Sequence, residues 1–516
     1  MAENRKVFRF FISPISDTFQ KTLVMKKFVL SLMVVLIAIS AFAQKKPVEE
    51  ITKLITKNET EAHLSFLAAD EMRGRATGSP EIDIAANYIA TYFRQLGIQA
   101  APETNQYFQN VEFQNVTPAS HLEFVIGQKS FKVKDDLVQY MGGDFEASAE
   151  IVFIGYGSRT DFQQTDVKGK IVVAFTGKPE ENNVMKAFLA DSPEKNVLAK
   201  EFGALALVEI IVTPGVPFQA VASYLVKERM SLKMEAGVPH LWMKNSDEPV
   251  ITELKETKKS RGVLKIAGTK VKYLNGKNVA GVIQGTDPIL KNEYLIISAH
   301  YDHVGVTSAP NKPDSIYNGA RDNAIGTVGL METAKFFATY PPKRSVLLLA
   351  VTAEEKGLLG SSWYADHPLI PLKQSVFNFN CDGAGYNDKT MATVVGLERT
   401  TAEADLTKGC AAFGLKAALD PVPEQNLYER SDNYSFAVKG IPSINFSPGV
   451  KSFDAELLKY YHQPADEVGS LDFDYLIKYF RAYVYTNFLL ANAPKAPTWK
   501  AGDKFEEAGK KLYSGN

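Results

Sequence analysis

Tyr294-Leu295-Ile296-Ile297-Ser298-Ala299-His300 is an apolar run that stops at a histidine, and the pattern recurs twice further along the chain. Ser345 to Thr352 is a second apolar run, followed by Glu354-Glu355, and Val376 to Asn380 is a third, ending at Asp382. Between the first two, Thr327 to Tyr340 has the spacing of an amphipathic helix and is closed by Pro341-Pro342, because proline cannot continue a helix. Ile441 to Phe446 reads as a further strand. Phe473 to Ala491 reads as a long terminal helix with aromatic and leucine residues on its core side. Apolar strands alternating with helices predict an α/β fold: a mixed, mostly parallel sheet sandwiched by helices. Ligands bind such a sheet beyond the carboxyl ends of its strands. His300, Glu354-Glu355 and Asp382 all fall at those ends.

Outward from this core, Glu59 to Ala69 predicts a helix. Asp70 to Ser79 is a polar, glycine-bearing loop, and Pro80 opens a second helix that runs to about Leu96 and stops at Gly97. Strand patterns follow over Tyr107 to Val116 and His121 to Val125. From about 135 to 260 the texture changes to short β-type runs, Ala149 to Tyr156 and Gly169 to Phe175, then a helix from Val197 to Phe202 and a buried strand from Ala204 to Ile211. We expect a main α/β domain whose first part covers 44–134, a small β-rich inserted domain over 135–261, the second part of the main domain, with the donor-ended strands, over 262–493, and a loosely held lysine- and glycine-rich tail over 494–516. At the start, Met25-Lys26-Lys27 precedes an apolar run from Phe28 that ends in Ala41-Phe42-Ala43. That is the form of a secretory signal over 25–43, with cleavage after Ala43. It predicts an exported, periplasmic or extracellular protein with no stable membrane anchor after cleavage.

Of the 516 residues, 45% are hydrophobic and 23% charged, and the formal net charge is -1, which gives no basis for a nucleic-acid partner or an anionic membrane. The two cysteines, Cys381 and Cys410, exclude a disulfide framework, although one bond between them is compatible with the sequence.

The chemistry lies in two imidazoles and four carboxylates: His300, Asp322, Glu354, Glu355, Asp382 and His462. Two imidazoles and three carboxylates suffice for two divalent ions if one carboxylate bridges, and the spare glutamate is then free to move protons. Asp302 stands two residues after His300, on the same side of an extended segment, where it can fix the imidazole tautomer. Asp322 reads equally as a helix N-cap or as the bridging carboxylate. Two acids directly after an eight-residue apolar run, Glu354 and Glu355, call for a neutralising cation, one to ligate and one to act as base. Asp466 is placed to order the surroundings of His462.

These segments resemble the M28 family of zinc peptidases, the aminopeptidase Y/S-like group. The motifs are Ala299-His300-Tyr301-Asp302-His303-Val304-Gly305, Asn318-Gly319-Ala320-Arg321-Asp322-Asn323-Ala324, Thr352-Ala353-Glu354-Glu355-Lys356-Gly357-Leu358-Leu359-Gly360-Ser361, Asn380-Cys381-Asp382 and His462-Gln463-Pro464-Ala465-Asp466. Asp70 to Ser79 resembles an N-terminal segment of the family. The insert resembles a protease-associated (PA) domain through Gly155-Tyr156-Gly157, Asp166 to Val172 and Phe202-Gly203-Ala204. The resemblance implies a zinc exopeptidase-like fold, two zinc ions, peptide substrates and an aminopeptidase activity. Asp322 would bridge the ions, Glu355 and His462 complete one site, His300 and Asp382 the other, with Asp302 supporting His300 and Glu354 as general base. Two departures from the family, Ile325 where a serine is common and Asn433 where a histidine is common, bear on the pocket, for which Asp432, Asn433 and Tyr434 are candidates. Alternative readings are a glutaminyl cyclase-like acyltransferase, a carboxypeptidase-type specificity with Arg321 or Arg430 as the basic group, and a receptor-like binding protein without catalysis.

Overall fold

Two large sheets, besides a two-stranded ribbon of Gly305–Val306 and Ile316–Tyr317, share the chain in the computed structural model, which describes residues 46–179, 187–215, 217–233, 237–246, 248–307 and 314–514. The signal expected over 25–43 lies outside the described residues. Ten elements frame the site: helix α1 (Lys57–Leu67), helix α2 (Pro80–Gln95), strands β1 (Phe108–Thr117), β2 (Lys270–Ile283) and β3 (Tyr294–His300), helix α3 (Ile325–Thr339), strands β4 (Ser345–Val351), β5 (Ser375–Asn380) and β6 (Ser443–Pro448), and helix α4 (Phe473–Asn492). The larger sheet has ten strands, and its centre runs β6, β5, β3, β4, β2, β1. Strands β4, β3, β5 and β6 are mutually parallel, so their carboxyl ends share one rim, and β2 turns antiparallel against β4.

The apolar runs are continuous because both faces of this sheet are covered. Leu295, Ile297 and Ala299 of β3 point into a core shared with α1, α2, α3 and α4. Ile296 points the other way and joins Leu347, Leu349, Tyr364 and Phe436. Helix α2 starts where Ser79 accepts a hydrogen bond from the Ile82 amide (3.4 Å) and Pro80 needs no donor.

The second sheet has eight strands and its own core, which includes Phe124, Ile151, Val173, Val208 and Leu264. It leaves the chain after β1 and returns at β2, and β1 and β2 are paired along their length from Phe108↔Val279 to Thr117↔Lys270. The insertion point is therefore two neighbouring strands. The second sheet takes in His121–Ile126 and Lys129–Lys132 and runs to Ala267, wider than the 135–261 expected, whereas Arg229–Leu232 goes back to pair with β1. Alternation identifies such strands without saying which sheet they join.

The segment beyond 493 is not loosely held. The Trp499 indole donates to the Gly440 carbonyl (3.0 Å), Arg399 grips Asp503 through two contacts (2.7 and 2.9 Å), and a helix over Glu506–Tyr513 ends with the Tyr513 hydroxyl on the Ser375 carbonyl (2.6 Å). The lysines that dominate its composition face out, and a few aromatic anchors decide its packing. Cys381 and Cys410 are both free and buried.

One side chain ties these layers to the rim. Arg75, 1% exposed, donates to the carbonyls of Leu67, Tyr301 (2.9 Å), Asn318 (2.7 Å) and Gly319 (3.0 Å). Burial lowers its pKa to about 10, while Asp302, Asp466, Asp322 and Glu355 pull it back up, so it stays charged. Arg75→Leu would orphan four carbonyls at a cost of ~1–3 kcal/mol each before relaxation. We expect at least ~3 kcal/mol of lost stability in urea unfolding; an unchanged midpoint would refute the bracing role.

Candidate metal centre

His300 ends β3 with its Nδ1 3.1 Å from the backbone carbonyl of Asp302. A carbonyl only accepts, so Nδ1 carries the proton and Nε2 turns a lone pair to the rim. The Asp302 carboxylate lies 3.7 Å from that Nδ1, and it accepts instead from the amides of Glu354 (3.1 Å) and Glu355 (3.3 Å) and from the Thr77 hydroxyl (3.1 Å). Its main work is on the turn after β4 rather than on the imidazole. That turn forms because Ala353, the residue before the glutamates, adopts a left-handed conformation (φ 58°) that aims both amides at Asp302.

Asp322 is not a helix cap. Its φ and ψ of -116° and 94° lie outside α3, and it is Asn323 whose side-chain oxygen accepts the Gly326 amide (3.0 Å). The loop is pinned from below by Asp466, which accepts from the Arg321 amide (3.0 Å) and the Asp322 amide (3.2 Å) and pairs with the Arg321 guanidinium (3.2 Å). Asp466 thus positions Asp322, not the surroundings of His462. Gly319 (φ 62°) turns the chain where a Cβ would stand 2.5 Å from the His303 ring.

The six expected side chains converge. Asp322 Oδ1 is 3.4 Å from His300 Nε2 and its Oδ2 is 3.1 Å from His462 Nε2. His300 Nε2 is 3.2 Å from Asp382 Oδ1, and His462 Nε2 is 3.3 Å from Glu355 Oε2. Zinc bonds to N and O of about 2.0–2.2 Å place neighbouring donors of one coordination shell about 3.0–3.5 Å apart, and these four separations fall there. Two donor groups result: His303, Asp322, Glu355 and His462 in one, and His300, Glu354 and Asp382 in the other. His303 is the member that the sequence reading passed over. It is fully buried, and its Nδ1 lies 2.8 Å from Glu355 Oε1 without hydrogen-bonding geometry. A second histidine three residues after His300 was the available signal.

The electrostatics suit a cation. Burial opposes the charge on Asp322, but the His300 and His462 imidazoles outweigh it and hold the carboxyl well below the usual range. Burial and Asp322 work against ionised Glu355, and His303 and His462 still bring it down to about 2. His462 is raised to about 10, since Asp322 and Glu355 overcome the effect of its burial. Glu354 goes the other way: burial, then Asp382, Asp432 and Glu355, raise it well above a normal carboxyl despite His300.

The open side of the site is lined by Thr393, Val395, Leu427, Arg430, Phe453 and Tyr461. Of the three pocket candidates none lines it. Asp432 and Asn433 are fully buried behind it, and Tyr434 packs against Phe505. Arg321 is 3% exposed, tied to Asp466 and stacked 3.7 Å over the Tyr460 ring, which leaves Arg430 as the basic side chain at the mouth.

Residues 278–486 match the model of peptidase family M28. Aminopeptidase YwaD of Bacillus subtilis (strain 168) is 29% identical over 242 residues, 45% of this chain and 47% of that protein. The vacuolar membrane protease of Saccharomyces cerevisiae (strain ATCC 204508 / S288c) is 32% identical over 117 residues, 23% of this chain and 11% of that one. The chain thus spans about half or less of the length of these relatives. Among solved structures, an aminopeptidase from Aneurinibacillus sp. strain AM-1 superposes over 87% of this chain and 97% of its own with a TM-score of 0.51 at 21% identity, a likeness of fold. The segment similar to peptidase family M28 runs from β2 into α4 and contains every donor of the candidate metal centre.

Proposed function

We propose that the protein is an exported zinc aminopeptidase that uses two metal ions, and that the eight-stranded insert is a PA-like domain. The observation that carries this reading is the aspartate whose two oxygens face two different imidazoles, Asp322 between His300 and His462. His300 and Asp382 would hold one ion and Glu355 and His462 the other, with Asp322 available to both and His303 beside Glu355. Two zinc ions there supply Lewis-acid activation of water and of the scissile carbonyl. Glu354 stands within ligand distance of His300 and Asp382, and its raised pKa suits a group that takes a proton from the attacking water and returns it to the leaving amine. The relatives, an aminopeptidase among them, support peptide substrates. The carboxylates at the rim favour a cationic amino terminus, whereas a carboxylate end would have Arg430 at the mouth to meet it, since Arg321 is taken up by Asp466. Export rests on the signal pattern of residues 25–43.

Glu354→Gln should keep its zinc and lose ~10²–10⁴ in kcat on aminoacyl anilides; normal turnover would remove Glu354 from the base role. Asp322→Ala should lower zinc at both positions together, read by metal analysis of the purified protein, whereas loss at one position alone would contradict the bridge. In the metal-free protein His462 is protonated at pH 7, because its pKa is raised to about 10. It must release that proton to ligate, so zinc affinity should rise with pH across the neutral range. Calorimetric titration in buffers of different ionisation enthalpy should report net proton release, and proton-neutral binding would oppose the assignment of His462.

A further inference from the structure

Away from the rim, Glu59 and His63 of α1 stand one turn apart on the same face and meet Glu332, about two turns into α3. Their donor atoms all lie within 4.8 Å of one another. We propose that Glu59, His63 and Glu332 form a further cation site that takes one zinc-class divalent ion and fastens α1 to α3.

The strongest observation is Glu332. It is fully buried, and neither carboxylate oxygen has a hydrogen-bond partner among the described residues. Such an orphan is costly in a packed interior. His63 presents the matching deficiency. Its Nδ1 is engaged by the Tyr88 hydroxyl at 2.7 Å, its ring is held edge-on to Tyr92, and its buried Nε2 has no partner. A hydrogen-bonded Nδ1 with a free Nε2 is how a ligating imidazole is oriented. Glu59 closes the group from the side, with its side chain 33% exposed, which gives an ion a way in.

The local cation does not answer Glu332. Lys335 binds Glu59 and donates to the Leu54 carbonyl (2.8 Å), so its ammonium is committed to α1 and to the segment just before it. Glu59, Glu332 and Lys335 together leave one net negative charge when both carboxyls are ionised. One imidazole and two carboxylates form a donor set that zinc accepts, with water completing the shell. Helix α1 ends at Leu67, whose carbonyl is one of the four that Arg75 holds, and α3 begins just after the Asp322 loop. The ion would therefore brace the layer beneath the metal centre without touching substrate.

The test is zinc per chain in the full protein, loaded with zinc and dialysed into metal-free buffer, for the parent, Glu332→Gln and His63→Gln. Each variant should hold one equivalent less than the parent, retain aminoacyl-anilide hydrolysis and lose the rise in Tm that added zinc gives the parent. His63→Gln, on the more accessible helix, makes the measurement independently of whether Glu332→Gln folds. Asp322→Ala, which removes zinc from the rim, should still bind one equivalent. Equal zinc counts in the parent and in both variants, or no zinc at all in Asp322→Ala, would overturn the proposal. The difference of one equivalent does not depend on what reaction the rim performs, so the two readings fail separately.

Discussion

Four carboxylates are held together at one rim, Glu354, Glu355 and Asp382 just past the ends of fully buried parallel strands and Asp322 in the loop before α3, and the rest of the molecule is arranged around that crowding. Like charges this close raise one another's pKa and cannot all ionise without compensation. The compensation comes in layers. Three imidazoles stand among the carboxylates, the Arg75 guanidinium lies buried behind them, and backbone amides are turned towards the supporting acids Asp302 and Asp466. Zinc at the rim would replace protons on the imidazoles with a charge that does not titrate away.

The supporting charges act on backbone rather than on the donors themselves. Arg75 gathers four carbonyls from three places in the chain, Asp302 collects the amides of the two glutamates, and Asp466 collects the amides of Arg321 and Asp322. Each donor is thereby fixed through the turn it sits on. The turns are strained where the donors are carried: Ala353 and His462 both adopt left-handed conformations, at φ 58° and 51°. For residues with a Cβ this costs roughly 1–2 kcal/mol apiece, and it persists where surrounding contacts over-determine the geometry. The hydrogen bonds to Asp302 supply that constraint for Ala353, and the stack of Tyr461 on the His462 ring, centroids 4.2 Å apart, supplies it for His462.

The strand order of chemistry was legible in the sequence because β3, β4 and β5 are buried on both faces and each ends on a polar donor. Apolar length and the point where it stops mark the rim together. What could not be read follows from the same physics. Asp466 looked like a neighbour of His462 because they are four residues apart, but the chain turns between them and sends Asp466 beneath Asp322. His303 escaped notice because its donors point at Glu355, a contact between loops that no periodicity records. The reach of the second sheet back to His121 and the docking of Trp499 are long-range pairings of the same kind. Sequence spacing reports the faces of an element, and partners across the fold are set by topology.

Glu354 and Glu355 show how far one backbone step can separate two identical side chains. Both amides are tied to the same aspartate, so the side chains leave the turn in different directions. Glu355 turns to His303 and His462 and is driven down to about 2, which keeps the carboxylate ionised. Glu354 turns to Asp382 and Asp432 in a buried setting and is driven up, a carboxylate with affinity for a proton. Pairs of like groups whose surroundings push their pKa values apart can take different parts within one site. The left-handed Ala353 sets that divergence. An extended residue there would carry the strand on past the rim and leave the two acids on opposite faces of the sheet, where no shared cation could reach them.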